Sequence, residues 1–368
     1  MKITQLTSQD LEDILVGATL LGAGGGGPRV VGQQILDALV KQGSLPTLVA
    51  VGDLEPGAWG AVSAFAGSPD AASTGPFDWS PATRAFAAMA AWGQGAGKPM
   101  AFVLPVELGG GNTFIPLAVA ASLSPPLPVV DGAGARRAVP GLNELSYAAP
   151  PAVPVSPMVL CSPTDQMSVE VSSAQVADNV LRAVVSAGGF DQEAGIALWP
   201  MTGATAATSV VAGTTTYAQG LGAAIRVAPP GGAIAAAVEY TQGVVLGRGT
   251  ISAVTAQTAG GFDTTTIVVA CADGTELRVF AQNENLIAYS SASPAPLAMA
   301  PDLLGWITPQ GTTFSNADPE LVAGTDVALL AMPCPPAMRT PFYVDQFLAE
   351  LRAAGYGGPY VPLIVNCR

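Results

Sequence analysis

MAFVLPVELGGGNTFIPLAVAASLSPPLPVVDGAGARRAVPGL, residues 100–142, is the stretch that sets the fold. Met100–Val106 is an unbroken apolar run, the pattern of a strand buried on both faces. It ends in Glu107 and the loop Gly109-Gly110-Gly111-Asn112, and Phe114–Leu123 is apolar and long enough for a short helix. A second apolar run, Leu127–Val130, stops at Asp131 and opens into Gly132-Ala133-Gly134-Ala135-Arg136-Arg137. The order is strand, glycine loop, helix, strand, charged loop: a βαβ unit with an acid at each strand end. Ligands of open parallel sheets sit outside the carboxyl ends of the strands, so Glu107 and Asp131 are expected at one crevice.

On the N-terminal side, Thr7 and Asp10 fit a capping box, and Leu11, Ile14, Leu15, Ala18 and Leu21 follow helical spacing. This helix stops at Gly22-Ala23-Gly24-Gly25-Gly26-Gly27, and Pro28 suits the first position of a second helix that ends at Gly43. A glycine run feeding a helix N-terminus either makes an anion site, through outward N–H groups, or is a tight helix–helix turn. Four adjacent glycines exceed what a turn needs, so Gly24, Gly25 and Gly26 join the candidate binding residues. No Gly-Lys-Ser/Thr follows, which excludes a P-loop. Strands at Leu48–Val51 and Gly60–Phe65 and a helix from Ser80 through Trp92 complete an alternating α/β pattern to about residue 165. The prolines of Pro140–Pro163 mark the exit from this domain.

Beyond it, Ser172–Ala187 and Thr215–Val227 read as helices. From Gly243 the chain turns β-rich: Gly249–Thr258, Thr264–Ala272, Glu276–Ala281 and Leu286–Ser290 are short strands, with Ala272-Asp273-Gly274-Thr275 as a hairpin signal. Val327–Met332 is a further strand, Phe342–Ala354 a helix and Tyr360–Val365 a closing apolar run. The expected architecture is an α/β domain over residues 1–165, three-layered with a mostly parallel sheet. A C-terminal domain follows over 166–368, helical through 240 and then β-rich through 335, barrel-like or sandwich-like. No internal repeat is present.

With 49% apolar and 11% charged residues, 368 residues build a sizeable core and leave little for disordered tails. No apolar run approaches the roughly 20 residues of a membrane span, and Met1-Lys2-Ile3-Thr4 lacks a signal-peptide pattern, so a soluble cytoplasmic protein is expected. A formal net charge of −13 argues against nucleic acid as a partner. A small molecule is the expected partner, with no membrane and with homo-oligomerisation left open. Cys161, Cys271, Cys334 and Cys367 are far apart and read as buried thiols. The chain has no histidine. Ser-His-Asp and Cys-His pairs are therefore excluded, as are His-based zinc sites. No cofactor is expected, and acid–base work falls to carboxylates, Lys, Tyr or Cys.

Several segments, taken in order, resemble one known family. They are Leu20–Gly27, Glu107-Leu108-Gly109-Gly110-Gly111-Asn112, Pro128-Val129-Val130-Asp131 and Arg137-Ala138-Val139-Pro140. Gly213-Thr214, Gln282-Asn283-Glu284, Pro301-Asp302-Leu303-Leu304 and Gly358-Pro359 follow. The chain resembles, end to end, the hydantoin-utilisation-associated family named for S-methyl-thiohydantoin desulfurase. The resemblance implies an N-terminal α/β domain, a C-terminal domain with a β-barrel-like part, and removal of sulfur from a thiohydantoin-type ring to give a hydantoin. The chain diverges from its relatives where Ala133 replaces an acid, where Arg136 and Gly141 replace Gly and Glu, and where Ala-Ala-Ser-Thr at 71–74 replaces an acidic segment.

Hydrolytic attack on a cyclic amide or thioamide needs a base to activate water, donors for the developing charge, and an acid for the leaving group. Glu107 is the first candidate for the base, against a helix-cap or salt-bridge role. Asn112 is a candidate for a ring carbonyl or imide N–H, with Gly110 and Gly111 supplying backbone donors. Asp131 either orients a substrate amide or pairs with Arg136 or Arg137. Arg137 is a candidate carboxylate clamp, whereas Arg136 reads as a surface residue. Asn283-Glu284 places a charge between Phe280 and Leu286, where it needs a partner, so Glu284 is a candidate second acid from the β-rich domain. Cys161 and Cys334 are weak candidates for sulfur transfer. Two rival readings remain open: a non-catalytic binding or accessory protein of a cyclic-amide degradation pathway, and a divalent metal held by Glu107, Asp131 and Glu284.

Overall fold

Buried-strand patterning places the parallel strands of the first sheet at its centre. The structure is a computed structural model that describes residues 2–67, 76–187, 189–190, 193–259 and 262–363. The chain opens with β1 (Ile3–Gln5), α1 (Ser8–Leu21), α2 (Arg29–Gln42), β2 (Thr47–Ala50) and β3 (Trp59–Gly67). Then come α3 (Ser80–Gly95), β4 (Met100–Pro105), α4 (Phe114–Ser122) and β5 (Val129–Ala133). Thr7 and Asp10 form the expected capping box, Thr7 N–H to the Asp10 carboxylate at 2.8 Å and Asp10 N–H to Thr7 Oγ1 at 3.1 Å. Gly43 stops α2 in the left-handed region (φ +66°). Pro28 stands one residue ahead of α2 and not at its first position, a boundary difference of one residue.

Strands β2, β5, β4 and β3 lie parallel in that order, with β1 antiparallel at one edge. The other edge is built from β6 (Met158–Cys161), β7 (Gln166–Val169) and, after α5 (Ala174–Val185), β8 (Glu193–Thr202). Strand β8 inserts antiparallel between β3 and β6. It is followed by α6 (Gly203–Ser209), β9 (Val211–Ala212), which pairs with β5, then α7 (Thr214–Val227) and α8 (Ala233–Thr241). The stretch 166–240, expected to be helical, thus also supplies β7, β8 and β9 to the first sheet. Residues 194–201 are all buried, and a strand covered on both faces has no alternation to separate it from a helix.

The second sheet is antiparallel throughout. It comprises β10 (Val244–Ala259), β11 (Phe262–Cys271), β12 (Glu276–Gln282), β13 (Glu284–Ser290), β14 (Ser293–Met299), β15 (Leu303–Ile307), β16 (Thr313–Phe314) and β17 (Asp326–Met332). Their order is β14-β13-β12-β11-β10-β17-β15-β16. The sheet curls into a half-barrel that brings β13 against β15, around Ile267, Val279, Trp306, Phe314 and Leu329. At the expected hairpin, Asp273 accepts the Thr275 N–H at 3.0 Å and Gly274 takes φ +84°. After α9 (Pro341–Ala353) the closing apolar run forms no strand among the described residues. Tyr360–Leu363 is extended but joins no sheet, its N–H groups spent on Met299 Sδ (Val361, 3.1 Å) and the Asp302 carboxylate (Leu363, 2.9 Å). Residues 71–74, Cys367 and the end of that run lie outside the described residues. No helix among the described residues is long and apolar enough to cross a membrane.

The half-barrel is stitched onto the first glycine loop by main-chain bonds. Asn285 N–H reaches Ala23 O, and Asn316 N–H reaches Gly24 O, both at 2.7 Å. The Asp318 carboxylate accepts the Arg29 N–H at 2.9 and 3.1 Å, capping α2 from the loop after β16. Arg137, fully buried, donates to the carbonyls of Ala138 (2.8 Å), Asp302 (2.9 Å) and Asn285 (3.1 Å).

Candidate active site

Three segments meet beyond the carboxyl ends of β3 and β4: the two glycine loops and the β12–β13 turn. They border a half-open cavity of about 140 Å³ whose wall includes Gly26–Pro28, Ala64–Gly67, Glu107, Gly111–Asn112, Asn283 and Glu284. The rest of the lining is mostly apolar, from Val31, Phe77, Val106, Ile115, Leu142 and Leu145 through Leu181 and Val185 of α5. A cavity of about 150 Å³ holds one benzene-sized molecule, so this one has room for a single small ring.

Glu107 follows β4 and is buried. Its Oε1 accepts from Asn112 Nδ2 and its Oε2 from the Val139 N–H, both at 2.9 Å. Burial pushes this carboxyl up to about 7, against the two hydrogen bonds and the Arg137 charge, which pull it down. Asn112 in turn accepts the Phe65 N–H at 3.0 Å through Oδ1. Both ends of the amide are engaged, so Asn112 fixes the orientation of Glu107 while lining the cavity itself. The N–H groups of Gly111 and Asn112 are spent on Gly26 O at 3.0 and 2.9 Å. The two glycine loops close on each other: a Cβ on Gly26 would stand 2.6 Å from Gly109 Cα.

Glu284 enters from the half-barrel. The chain reverses at Asn283, which takes φ +56°, a left-handed conformation that Asn tolerates. Asn316 Nδ2 holds this turn by donating to Asn283 O (2.8 Å) and Asn285 Oδ1 (3.0 Å). Glu284 is buried and its Oε2 has no hydrogen-bond partner. Burial raises its carboxyl well above the usual range, and the Glu107 charge raises it further, with Arg137 opposing. Gly25 packs so closely that a Cβ there would overlap the Glu284 carboxyl.

Other candidates stand elsewhere. Asp131 is not at the cavity and pairs with neither Arg136 nor Arg137. Its Oδ1 accepts the N–H groups of Thr215 and Thr216, both at 3.0 Å, and its Oδ2 accepts Thr216 Oγ1, so it caps α7. Arg137 is no carboxylate clamp: its donors are committed to main-chain carbonyls, and burial lowers its guanidinium to about 10. Arg136 lies over the Tyr217 ring, 4.0 Å from its centroid. Gly24, Gly25 and Gly110 are packed in the loops and do not line the cavity. At the α2 N-terminus the Arg29 N–H is already taken by the Asp318 carboxylate. The metal reading loses Asp131, and among the described residues no three His, Cys, Asp or Glu side chains are grouped to hold a metal ion. Burial raises the Cys161 thiol, and burial with Asp302 pushes Cys334 up to about 12, so both are poor nucleophiles.

Two features of the wall escaped the sequence reading. Asp178 and Arg182 of α5 form an ion pair (2.7 Å), with Arg182 also donating to Pro140 O at 2.7 Å. Glu193 begins β8 and lines the outer wall. It has the signature that singled out Glu107, an acid bordering a continuous apolar run.

Family models described as S-Me-THD-like match this chain, the N-terminal domain over residues 9–171 and the C-terminal domain over 172–363. The crystal structure of a protein from Chromobacterium violaceum superposes with a TM-score of 0.83 at 27% identity. The match covers 98% of this chain and 100% of that one. Comparison with curated proteins gave no match.

Proposed function

Because the chain belongs to the S-Me-THD-like family, we propose that its cavity takes one small cyclic amide or thioamide of thiohydantoin or hydantoin type and hydrolyses it with Glu107 and Glu284. The observation that carries this is a pair of buried carboxyls in one ring-sized cavity, both with raised proton affinity, in a chain that has no imidazole. Two coupled carboxyls share a proton near neutral pH. Glu107, held by two N–H donors, is the ionised partner; Glu284, with an orphaned oxygen, keeps the proton.

In this reading Glu107 takes a proton from water as its oxygen bonds to the ring carbon. Gly26 and Gly27, on the wall, offer backbone N–H groups to the negative charge that develops. Collapse of the adduct breaks the carbon–sulfur bond, or the carbon–nitrogen bond in a hydantoin, and the Glu284 proton goes to the leaving atom. Glu107→Gln and Glu284→Gln are tested against thiohydantoins, hydantoins and cyclic imides. Each is expected to lose about 10²–10⁴-fold in turnover while still binding the ring. Undiminished turnover in Glu107→Gln removes it from the mechanism, and a ring that stabilises the parent protein but is never converted favours the binding protein.

A further inference from the structure

Four carboxyls, of Glu107, Glu284, Asp178 and Glu193, border the cavity against the single guanidinium of Arg182 among its lining residues. Asp178 and Arg182 neutralise each other across 2.7 Å. Glu107 is held by Asn112 and the Val139 N–H, and the Glu107 charge bears on Glu284. Glu193 is different. Its carboxyl has no hydrogen bond or ion pair among the described residues, and burial pushes it up to about 7 with no compensating partner.

The register fixes where this acid stands relative to the ring. Strand β8 pairs Gly195 with Phe65, whose N–H holds Asn112 and through it Glu107. Glu193 pairs with Gly67, two residues farther along, which is about 7 Å at the rise of a strand. A ring seated at Glu107 therefore needs a substituent a few atoms long to reach the level of Glu193, two strand residues farther along. Above about pH 7, where Glu193 is ionised, a partly buried carboxylate without a partner attracts a cation and repels an anion. Resting on the cyclic-amide reading, we infer that Glu193 is a specificity determinant that selects ring substrates with a cationic arm, such as a protonated amine, over those with a carboxylate arm.

The test uses the full-length protein at pH 7.5 with three titrated probes: 5-propylhydantoin, 5-(3-aminopropyl)hydantoin and 5-(2-carboxyethyl)hydantoin. The aminopropyl compound is expected to bind at least tenfold more tightly than the carboxyethyl compound, and Glu193→Gln to shrink that ratio below threefold. Equal or tighter binding of the carboxyethyl compound overturns the inference and hands recognition to Arg182, and a ratio that survives in Glu193→Gln overturns it too. Propylamine and propionate read the same charge preference without a ring. If no hydantoin binds but propylamine is preferred until Glu193 is replaced, the cyclic-amide reading fails and the role of Glu193 stands. If neither series shows a preference, the role of Glu193 fails. Glu193→Gln removes a carboxyl whose ionisation is opposed by burial, so a melting temperature at pH 8 no lower than the parent's shows that it is folded.

Discussion

Glu107 owes its chemistry to a contest between burial, which raises its proton affinity, and three neighbours that lower it. Removing one neighbour tips the contest in a known direction. Asn112→Ala deletes the donor to Oε1, so Glu107 moves above its present value of about 7 and the acidic limb of the pH–rate profile shifts to higher pH. A limb that stays put identifies some other group as the base. Gly25 gives a second test at the same scale. Its φ is not in the left-handed region, so alanine strains no backbone there, yet its Cβ would overlap the Glu284 carboxyl. Gly25→Ala is expected to displace that carboxyl and lower turnover by on the order of 10²-fold, the size of effect that follows from misplacing a reacting group by about 1 Å. Circular dichroism should be unchanged. Full activity in this variant means that Glu284 is not required where the structure puts it.

Elements, not isolated residues, decided which sequence expectations the structure matches. The Met100–Leu142 unit folds as written because buried-strand runs and glycine punctuation are local properties, and Glu107 follows from them. Glu284 was legible for a similar reason: a charge between Phe280 and Leu286 in a β-rich stretch needs a destination. Asp131 was not, because its role depends on α7, which begins 83 residues later and supplies the N–H groups it accepts. Arg137 likewise bonds to carbonyls 148 and 165 residues away, a distance over which spacing carries no information. As a cap, Asp131 predicts a purely structural phenotype. Asp131→Ala should lower stability by about 1–2 kcal/mol and leave ring binding at its parental strength. A large loss of binding in a well-folded Asp131→Ala protein returns this acid to the site.

Across the whole molecule, the absence of histidine makes pH an unusually clean probe, because buried carboxyls carry the titration between pH 5 and 8. Glu107 and Glu193 are each pushed up to about 7 by burial. Burial, with the Glu350 charge nearby, pushes Glu144 up to about 8, and its Oε2 has no hydrogen-bond partner. Unfolded, all of them titrate near 4.5. Between these values the folded chain holds more protons than the unfolded one, so ν_U − ν_N is negative and stability falls as pH rises. The stabilisation is complete below about pH 4.5 and is lost by about pH 8, the reverse of what salt-bridged carboxylates give. Each pKa unit corresponds to about 1.4 kcal/mol, so the combined decline amounts to several kcal/mol in order of magnitude. The urea midpoint should therefore be higher at pH 5.5 than at pH 8.5. Glu144→Gln, which stays neutral and lies outside the cavity wall, should flatten the decline by stabilising the protein at pH 8.5 more than at pH 5.5. Stability that rises over this interval, or a decline that Glu144→Gln leaves untouched, shows that these acids are not held protonated by the fold. The proton-sharing pair proposed for the cavity would then lose its physical basis, since the same burial sustains both.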